Sequence, residues 1–543
     1  MNGGKYLMMI QNPVLKGFNP DPSILRVGDD YYIAVSTFEW FPGVVIHHSK
    51  DLKNWHQVSR PLKTTELLDM RGNPDSGGVW APQLSYADGK FWLIYSDVKV
   101  VKGPWKDVTN YLTTCETIDG DWSKPIEMNQ SGFDPSLFHD DDGRKWFVNM
   151  VWDNRVGHHN FAGIALQEYD PQQERLIGEP QIIFKGTNVK LVEAPHLYKI
   201  NGYYYLFTAE GGTLFNHQET VARSRNLEGP YEVHPDNPLI TSFHHPEIRL
   251  QRAGHGSLVD TQNGEWYFAH LTSRPLPDET QSILDDRGYS PLGRETAIQK
   301  IEWNNDWPYV VGGNYPKDEV EMPDLPEVTW PADYPIVDDF DESTLNHQWN
   351  TVRIPFDEKM GSLTERPGHL RLIGGGSFHN HFSHSFVARR WQALNFEAET
   401  KVAVNPISFQ QQAGLVAYYN TSNWTSIHVT WDPELGRVID VLHCDRGELA
   451  RPLREMVPVP NEVEYVYFRV NVDQAEYYYS YSLDGEKWNV IDTTFDSRQL
   501  SDEYVSQKEG GFFTGAFIGV NCIDTSGRKL VADFDYFRYE EQN

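Results

Sequence analysis

One pattern of apolar and polar positions recurs five times along the chain: a small or acidic residue, a short apolar run, a Gly or Asx turn, and a second run rich in aromatic residues. The copies begin at Asp21 (DPSILRVGDDYYIAVST), Ala81 (APQLSYADGKFWLIYSD), Asp134 (DPSLFHDDDGRKWFVNM), Ala194 (APHLYKINGYYYLFTAE) and His255 (HGSLVDTQNGEWYFAHL), at spacings of 60, 53, 60 and 61 residues. Short runs of β-branched and aromatic residues bounded by turn formers predict strands. Four copies turn on Asp88-Gly89, Asp142-Gly143, Asn201-Gly202 and Asn263-Gly264, dipeptides that tolerate positive φ at the tip of a two-residue hairpin. Room remains after each hairpin for two more strands, marked by the related phrases HHSKDLKNWHQV from His47 and ARSRNLEGPYEV from Ala222. Four strands per repeat make a propeller blade, so five blades are expected, an arrangement that protects sheet edges.

At 543 residues the chain exceeds the roughly 250–300 residues at which single cores stop growing, and two domains are expected. Pro316, Pro323, Pro326, Pro331 and Pro335 crowd an acidic stretch, which disfavours regular strands and reads as a linker. Beyond it, alternating segments such as Tyr465–Val470 and Glu476–Tyr481, the latter followed by the turn Asp484-Gly485, predict a second all-β domain built as a sandwich. The expected boundaries are 1–320 for the propeller, 321–335 for the Pro-rich linker and 336–543 for the sandwich.

Charge narrows the partners. With 77 acidic against 47 basic residues and a formal net charge of −30, the chain repels a phosphate backbone or an anionic membrane, so neither nucleic acid nor membrane is expected. Aromatic residues make up 13% of the chain, and rings together with carboxylates suit a neutral carbohydrate. Cys115, Cys444 and Cys522 have neither disulfide-framework nor metal-type spacing. The apolar run Tyr6–Ile10 is shorter than the roughly 7–15 residues of a signal-peptide core, and a cytoplasmic location is expected. No stretch reaches the roughly 20 apolar residues that cross a bilayer.

In a propeller the inner strand of each blade lines a central channel, so residues opening the five copies should converge at one end of it. Those residues are Asp21, Trp80, Asp134, Glu193 and His255. Asp-Pro is a common turn opener, so Asp21 or Asp134 taken singly reads as a turn residue, and Trp80 or His255 taken singly as a core filler or spacer. Three carboxylates at equivalent positions reverse that reading. Glu193 moreover lies between Val192 and Ala194, where burying a carboxylate without purpose is costly. Glycoside hydrolysis needs a protonated acid at the leaving oxygen and a second carboxylate acting at the anomeric carbon, and a third, ionised carboxylate nearby would hold the proton on the acid.

The markers NPVLKGFNPDPSI from Asn12, GVWAPQLSY from Gly78, SGFDPSLFHDDDGRKW from Ser131, VEAPHLYK from Val192, RAGHGSLV from Arg252, PLGRET from Pro291 and GGFFTGAFIG from Gly510 closely resemble the propeller glycosidases of family 43, in particular two-domain β-xylosidases with a C-terminal, concanavalin-like sandwich. The resemblance implies an inverting exo-hydrolase of short β-1,4-xylo-oligosaccharides with side activity on α-L-arabinofuranosides. It implies Asp21 as general base, Asp134 as modulator of the acid's pKa and Glu193 as general acid. Arg294, which in an acidic chain would otherwise read as a surface ion pair, is implied to bind sugar hydroxyls, while Phe38, Trp80 and Trp152 shape the pocket. His255 is implied to lie in the channel, positioning the site or meeting a divalent cation such as calcium, although no cofactor is required. Phe513 is expected on a sandwich loop over the pocket, with Phe512 an equal candidate, and a dimer or tetramer is expected.

Three other readings are open. Retaining fructosidases share the architecture, but their NDPNG and EC-P phrases differ from NPDPS and EAPH here. Predominant α-L-arabinofuranosidase activity fits the same pocket, because the two pentoses present similar hydroxyl patterns. A sugar-binding propeller without catalysis is the third, since fold alone does not establish activity.

Overall fold

The computed structural model describes residues 8–277, 287–331, 334–509 and 512–542. It is all-β except for one helix, Asp502–Glu509, and one turn of 3-10 helix, Ser497–Leu500, among the described residues. Five antiparallel sheets of successive strands form the blades: four sheets of four strands and one of five. Their inner strands are Ser23–Val27, Gly78–Ala87, Ser136–His139, Glu193–Ile200 and Gln251–Asp260. Two of the expected turns are two-residue hairpins. Ala87 faces Lys90 across Asp88-Gly89, and Ile200 faces Tyr203 across Asn201-Gly202, with positive φ at both turn residues in each case. At Asp142-Gly143 and Asn263-Gly264 only the glycine is left-handed.

Aromatic residues of the first three strands of the blades join neighbouring blades. Tyr32 meets Phe91, Trp92 meets Tyr169, Phe138 meets Tyr204 and Phe207 meets Phe268, at ring-centre distances of 5.5, 6.4, 6.0 and 6.0 Å. Between the fifth blade and the first there is no such ring pair among the described residues. That seam is held by Ile24, Tyr31, Ile33, Val259, Tyr267 and Ile298 and by polar bonds. Ile24 N–H donates to Ser257 Oγ (2.7 Å), and Arg26 donates to Asp260 Oδ2 (2.8 Å).

The Pro-rich stretch is not a free linker. Glu319–Glu321 forms a short strand with Met9–Gln11, Leu325 is buried, Val328 N–H donates to Asp51 Oδ2 (2.9 Å), and the Trp330 ring lies 4.0 Å from that of His56. Prolines exclude central strands, but they permit a chain strapped to the outside of a propeller by side-chain anchors.

The second domain packs an eight-stranded sheet on a seven-stranded one, over a core that includes Phe396, Val402, Leu415, Ile427, Phe468, Tyr479, Ile518 and Phe534. It is fused to the propeller through buried groups. Trp40 stacks on Phe517 with ring centres 3.6 Å apart, and Trp40–Phe41 pairs with Thr351–Val352 as a two-stranded sheet. Arg353 Nη2 reaches Asp75 (2.7 Å), Arg390 Nε reaches the Phe18 carbonyl (2.6 Å), and Arg252 Nη2 reaches Glu503 Oε1 (2.6 Å). Removing either domain would leave these charges and rings buried without partners or exposed to water. Trp40→Ala is therefore expected to cost about 3–5 kcal/mol and to lower the melting of both domains together. Calorimetry that shows one domain's transition unmoved would contradict a shared core.

Candidate active site

The five inner strands open with one backbone device. Asp21, Ala81, Asp134, Ala194 and His255 all have left-handed φ, of 55°, 37°, 54°, 52° and 48°, and pairing registers shift between Trp80 and Gln83, between Glu193 and His196, and twice between Gln251 and Gly256. A left-handed residue costs on the order of 1–3 kcal/mol where the side chain disfavours it, and bulges re-aim side chains at the ends of strands. Hydrogen bonds from the preceding blade hold two of these openings. Asp21 Oδ2 accepts the Ser36 hydroxyl (2.6 Å), and Ser36 Oγ accepts the Ala81 N–H (2.7 Å). Asp134 Oδ2 accepts the Ala194 N–H (3.1 Å). Each aspartate is thus tied to the strand opening of the next blade.

All nine residues expected at the site line one cavity of about 220 Å³: Asp21, Phe38, Trp80, Asp134, Trp152, Glu193, His255, Arg294 and Phe513. The three carboxyl groups are almost fully buried and titrate apart. Burial pushes Asp21 up, but Arg294, His255, the Ser36 hydroxyl and His217 outweigh it and hold this carboxyl below its ordinary value. Arg294 Nη1 sits 2.9 Å from Asp21 Oδ1, and His255 Nδ1 lies 3.5 Å from the same oxygen. Burial and the neighbouring charges of Asp134 and Asp21 push Glu193 well above its ordinary value. Burial and Asp21 also raise Asp134. Of this coupled pair the proton belongs on Glu193, because Asp134 accepts a backbone N–H that favours its ionised form, whereas Glu193 Oε1 is buried without a hydrogen-bond partner. The site therefore offers an ionised carboxylate at Asp21 and a proton at Glu193.

Arg294 does more than was expected of it. Its second arm, Nη2, donates to the Phe513 carbonyl (3.0 Å), so one guanidinium spans the propeller carboxylate and the sandwich loop. Phe513 completes a triangle with Phe38 and Trp80, at ring-centre distances of 6.1 and 5.4 Å. Phe512 lies beside a different cavity with Lys99, Lys102 and Arg446, which leaves Phe513 as the pocket residue of the two.

Lys106, Phe133, Phe161, Gly212 and Thr213 also line the pocket and were not anticipated. Phe133 carried a signal, since it precedes Asp134 as Trp80 precedes Ala81. Lys106 carried none: it comes from the loop between two strands of the second blade, where its Nζ lies 5.1 Å from the Trp152 ring and burial lowers its pKa to about 8. Around His255, no group of three or more His, Cys, Asp or Glu side chains is arranged to hold a metal among the described residues.

Comparison with known proteins agrees with this geometry. Residues 10–308 match the model of glycosyl hydrolases family 43, and residues 337–540 match the beta xylosidase C-terminal concanavalin A-like domain. A beta-xylosidase of Bacillus subtilis is 60% identical, the match covering 98% of this chain and all of that protein. A xylosidase/arabinosidase of Humicola insolens is 48% identical over 98% of this chain and 97% of its own. The crystal structure of a xylan beta-1,4-xylosidase from Bacillus halodurans superposes with a TM-score of 0.94 at 53% identity, covering 98% of this chain and 100% of that one. A propeller whose strand openings gather three carboxyl groups beneath a sandwich loop, with both domains matched over nearly their full length, places the chain in glycoside hydrolase family 43.

Proposed function

We propose that this hydrolase is an inverting, exo-acting β-xylosidase that releases xylose from the non-reducing end of short β-1,4-xylo-oligosaccharides and also cleaves α-L-arabinofuranosides. The observation that carries the reading is the opposite displacement of Asp21 and Glu193 within one small, aromatic-walled cavity. Its volume of about 220 Å³ is below the roughly 300–1,000 Å³ of sites for larger ligands, which suits terminal sugar units rather than a long chain. The names of the relatives support both activities. A cytoplasmic location and a dimer or tetramer belong to the same proposal, and the three buried, unpaired cysteines accord with a reducing compartment.

In the reaction, ionised Asp21 takes a proton from a water molecule as the water oxygen bonds to the anomeric carbon. The carbon–oxygen bond to the leaving sugar breaks on the opposite face, and the Glu193 proton goes to the departing oxygen. Asp21 leaves the step protonated and Glu193 ionised, and exchange with solvent resets both. Asp134 keeps the proton on Glu193 by charge. Arg294 keeps Asp21 ionised at low pH and, as a lining residue of the pocket, stands beside the sugar hydroxyls.

Inversion is checked by proton NMR of the first-formed sugar: a β-xyloside should release α-xylose, and initial β-xylose would sink the mechanism. Leaving-group dependence separates acid from base. Glu193→Gln should lose about 10²–10⁴-fold on xylobiose and far less on a dinitrophenyl xyloside, whose leaving group needs no proton; Asp21→Asn should depress both comparably. The opposite pattern would mean the roles are interchanged. The pH profile follows from the shifts. kcat/KM should rise as Asp21 ionises, below the usual carboxylate range, and fall where Glu193 loses its proton, far above that range. Asp134→Asn removes a charge that raises Glu193, so its alkaline limb should move to lower pH while the acid limb stays; an unmoved alkaline limb would refute the assigned role of Asp134.

A further inference from the structure

The aromatic triangle of Phe38, Trp80 and Phe513 draws residues from two blades and from the second domain, yet its parts meet at one residue outside the pocket. Ser76 is fully buried with a left-handed φ of 59°. Its carbonyl accepts the Trp80 indole N–H (2.8 Å), and its hydroxyl oxygen accepts the Phe513 backbone N–H (3.1 Å). Its own N–H donates to Glu39 Oε2 (3.1 Å). Glu39 follows Phe38, whose backbone exchanges two hydrogen bonds with Val79, of 2.9 and 3.1 Å. Every polar group of Ser76 is therefore spent on a neighbour of the wall or on the residue that fixes Ser76 itself. The Phe513 backbone is pinned at both ends, by Ser76 at N–H and by Arg294 at C=O.

We propose that Ser76 is a positioning residue that sets the aromatic wall of the sugar pocket, with Glu39 holding Ser76 in its left-handed conformation. The inference rests on the reading that this cavity holds xylose. Ser76 touches neither Asp21 nor Glu193, so its loss should weaken sugar binding without altering proton transfer. Glu39 acts as an acceptor: burial drives its carboxyl up, against the pull of Arg353, so a neutral amide can take its place.

The test combines binding and kinetics. Ser76→Ala leaves the Phe513 N–H buried without a partner, and it should raise the D-xylose Kd, read from tryptophan fluorescence, and the xylobiose KM by about tenfold while keeping kcat within about threefold. Both pH limbs should stay in place. Ser76→Gly accepts the left-handed backbone without strain but also lacks the hydroxyl, so it should match Ser76→Ala. Glu39→Ala should reproduce the loss, and Glu39→Gln, which retains an acceptor oxygen, should restore wild-type binding. An unchanged KM and Kd in Ser76→Ala, normal binding in Ser76→Gly, a kcat loss at constant KM, or displaced pH limbs would each overturn the proposal. Wild-type protein that neither binds D-xylose nor cleaves xylobiose would instead overturn the functional reading beneath it.

Discussion

Three buried carboxyl groups share a pocket with a single guanidinium, and the rest of the architecture follows from that imbalance. Arg294 can neutralise one negative charge, and it neutralises Asp21. A second charge, on Asp134, is tolerable because a backbone N–H meets it. A third has no counterpart, so Glu193 keeps its proton. The proposed acid and base are thus distinguished by the supply of partners, since both are carboxylic acids in the same cavity. The arrangement depends on the low-dielectric surroundings of the carboxyl groups, to which the second domain contributes Phe513. A sandwich that looks appended in sequence is part of the electrostatics of the reaction.

The strand openings show how the carboxyl groups are brought there. Left-handed residues at all five openings would be unfavourable if each stood alone. In two blades the opening is held by an acceptor from the blade before it, directly from Asp134 or through Ser36 from Asp21. The same side chains serve as chemistry and as backbone support, so the geometry of the site and the spacing of the blades cannot drift independently.

Much of this was legible because the repeat imposes strict local demands. Left-handed openings and two-residue hairpins restrict which residues can stand there, and those demands left the five copies visible along the chain, with Asp21, Asp134 and His255 at the openings and Trp80 and Glu193 immediately before them. Arg294 and Phe513 lie outside the repeat phrases and were reached only through resemblance to a family. Lys106 and Thr213 come from loops, and Phe161 opens a strand of the third blade; their reach into the pocket depends on three-dimensional packing, and nothing in their neighbourhood marks them. The Pro-rich stretch misled for a physical reason: proline content reports on ladder hydrogen bonds, not on the side-chain anchors at Asp51 and His56 that strap this segment down. Arg353 and Arg390 are buried where the two domains meet, and no local pattern in the sequence marks them.

The ring is closed without a blade built from both ends of the chain, since each sheet uses successive strands. First and last blades meet at the seam that lacks an aromatic pair, and across that seam runs the bond between Arg294, which precedes the third strand of the fifth blade, and Asp21, which precedes the first strand of the first. Asp21, the proposed base, is thereby also a clasp. Loosening of the circle would part Asp21 from its cation while every blade is still intact, so turnover is expected to fail before the fold does and to serve as a gauge of whether the ring is shut.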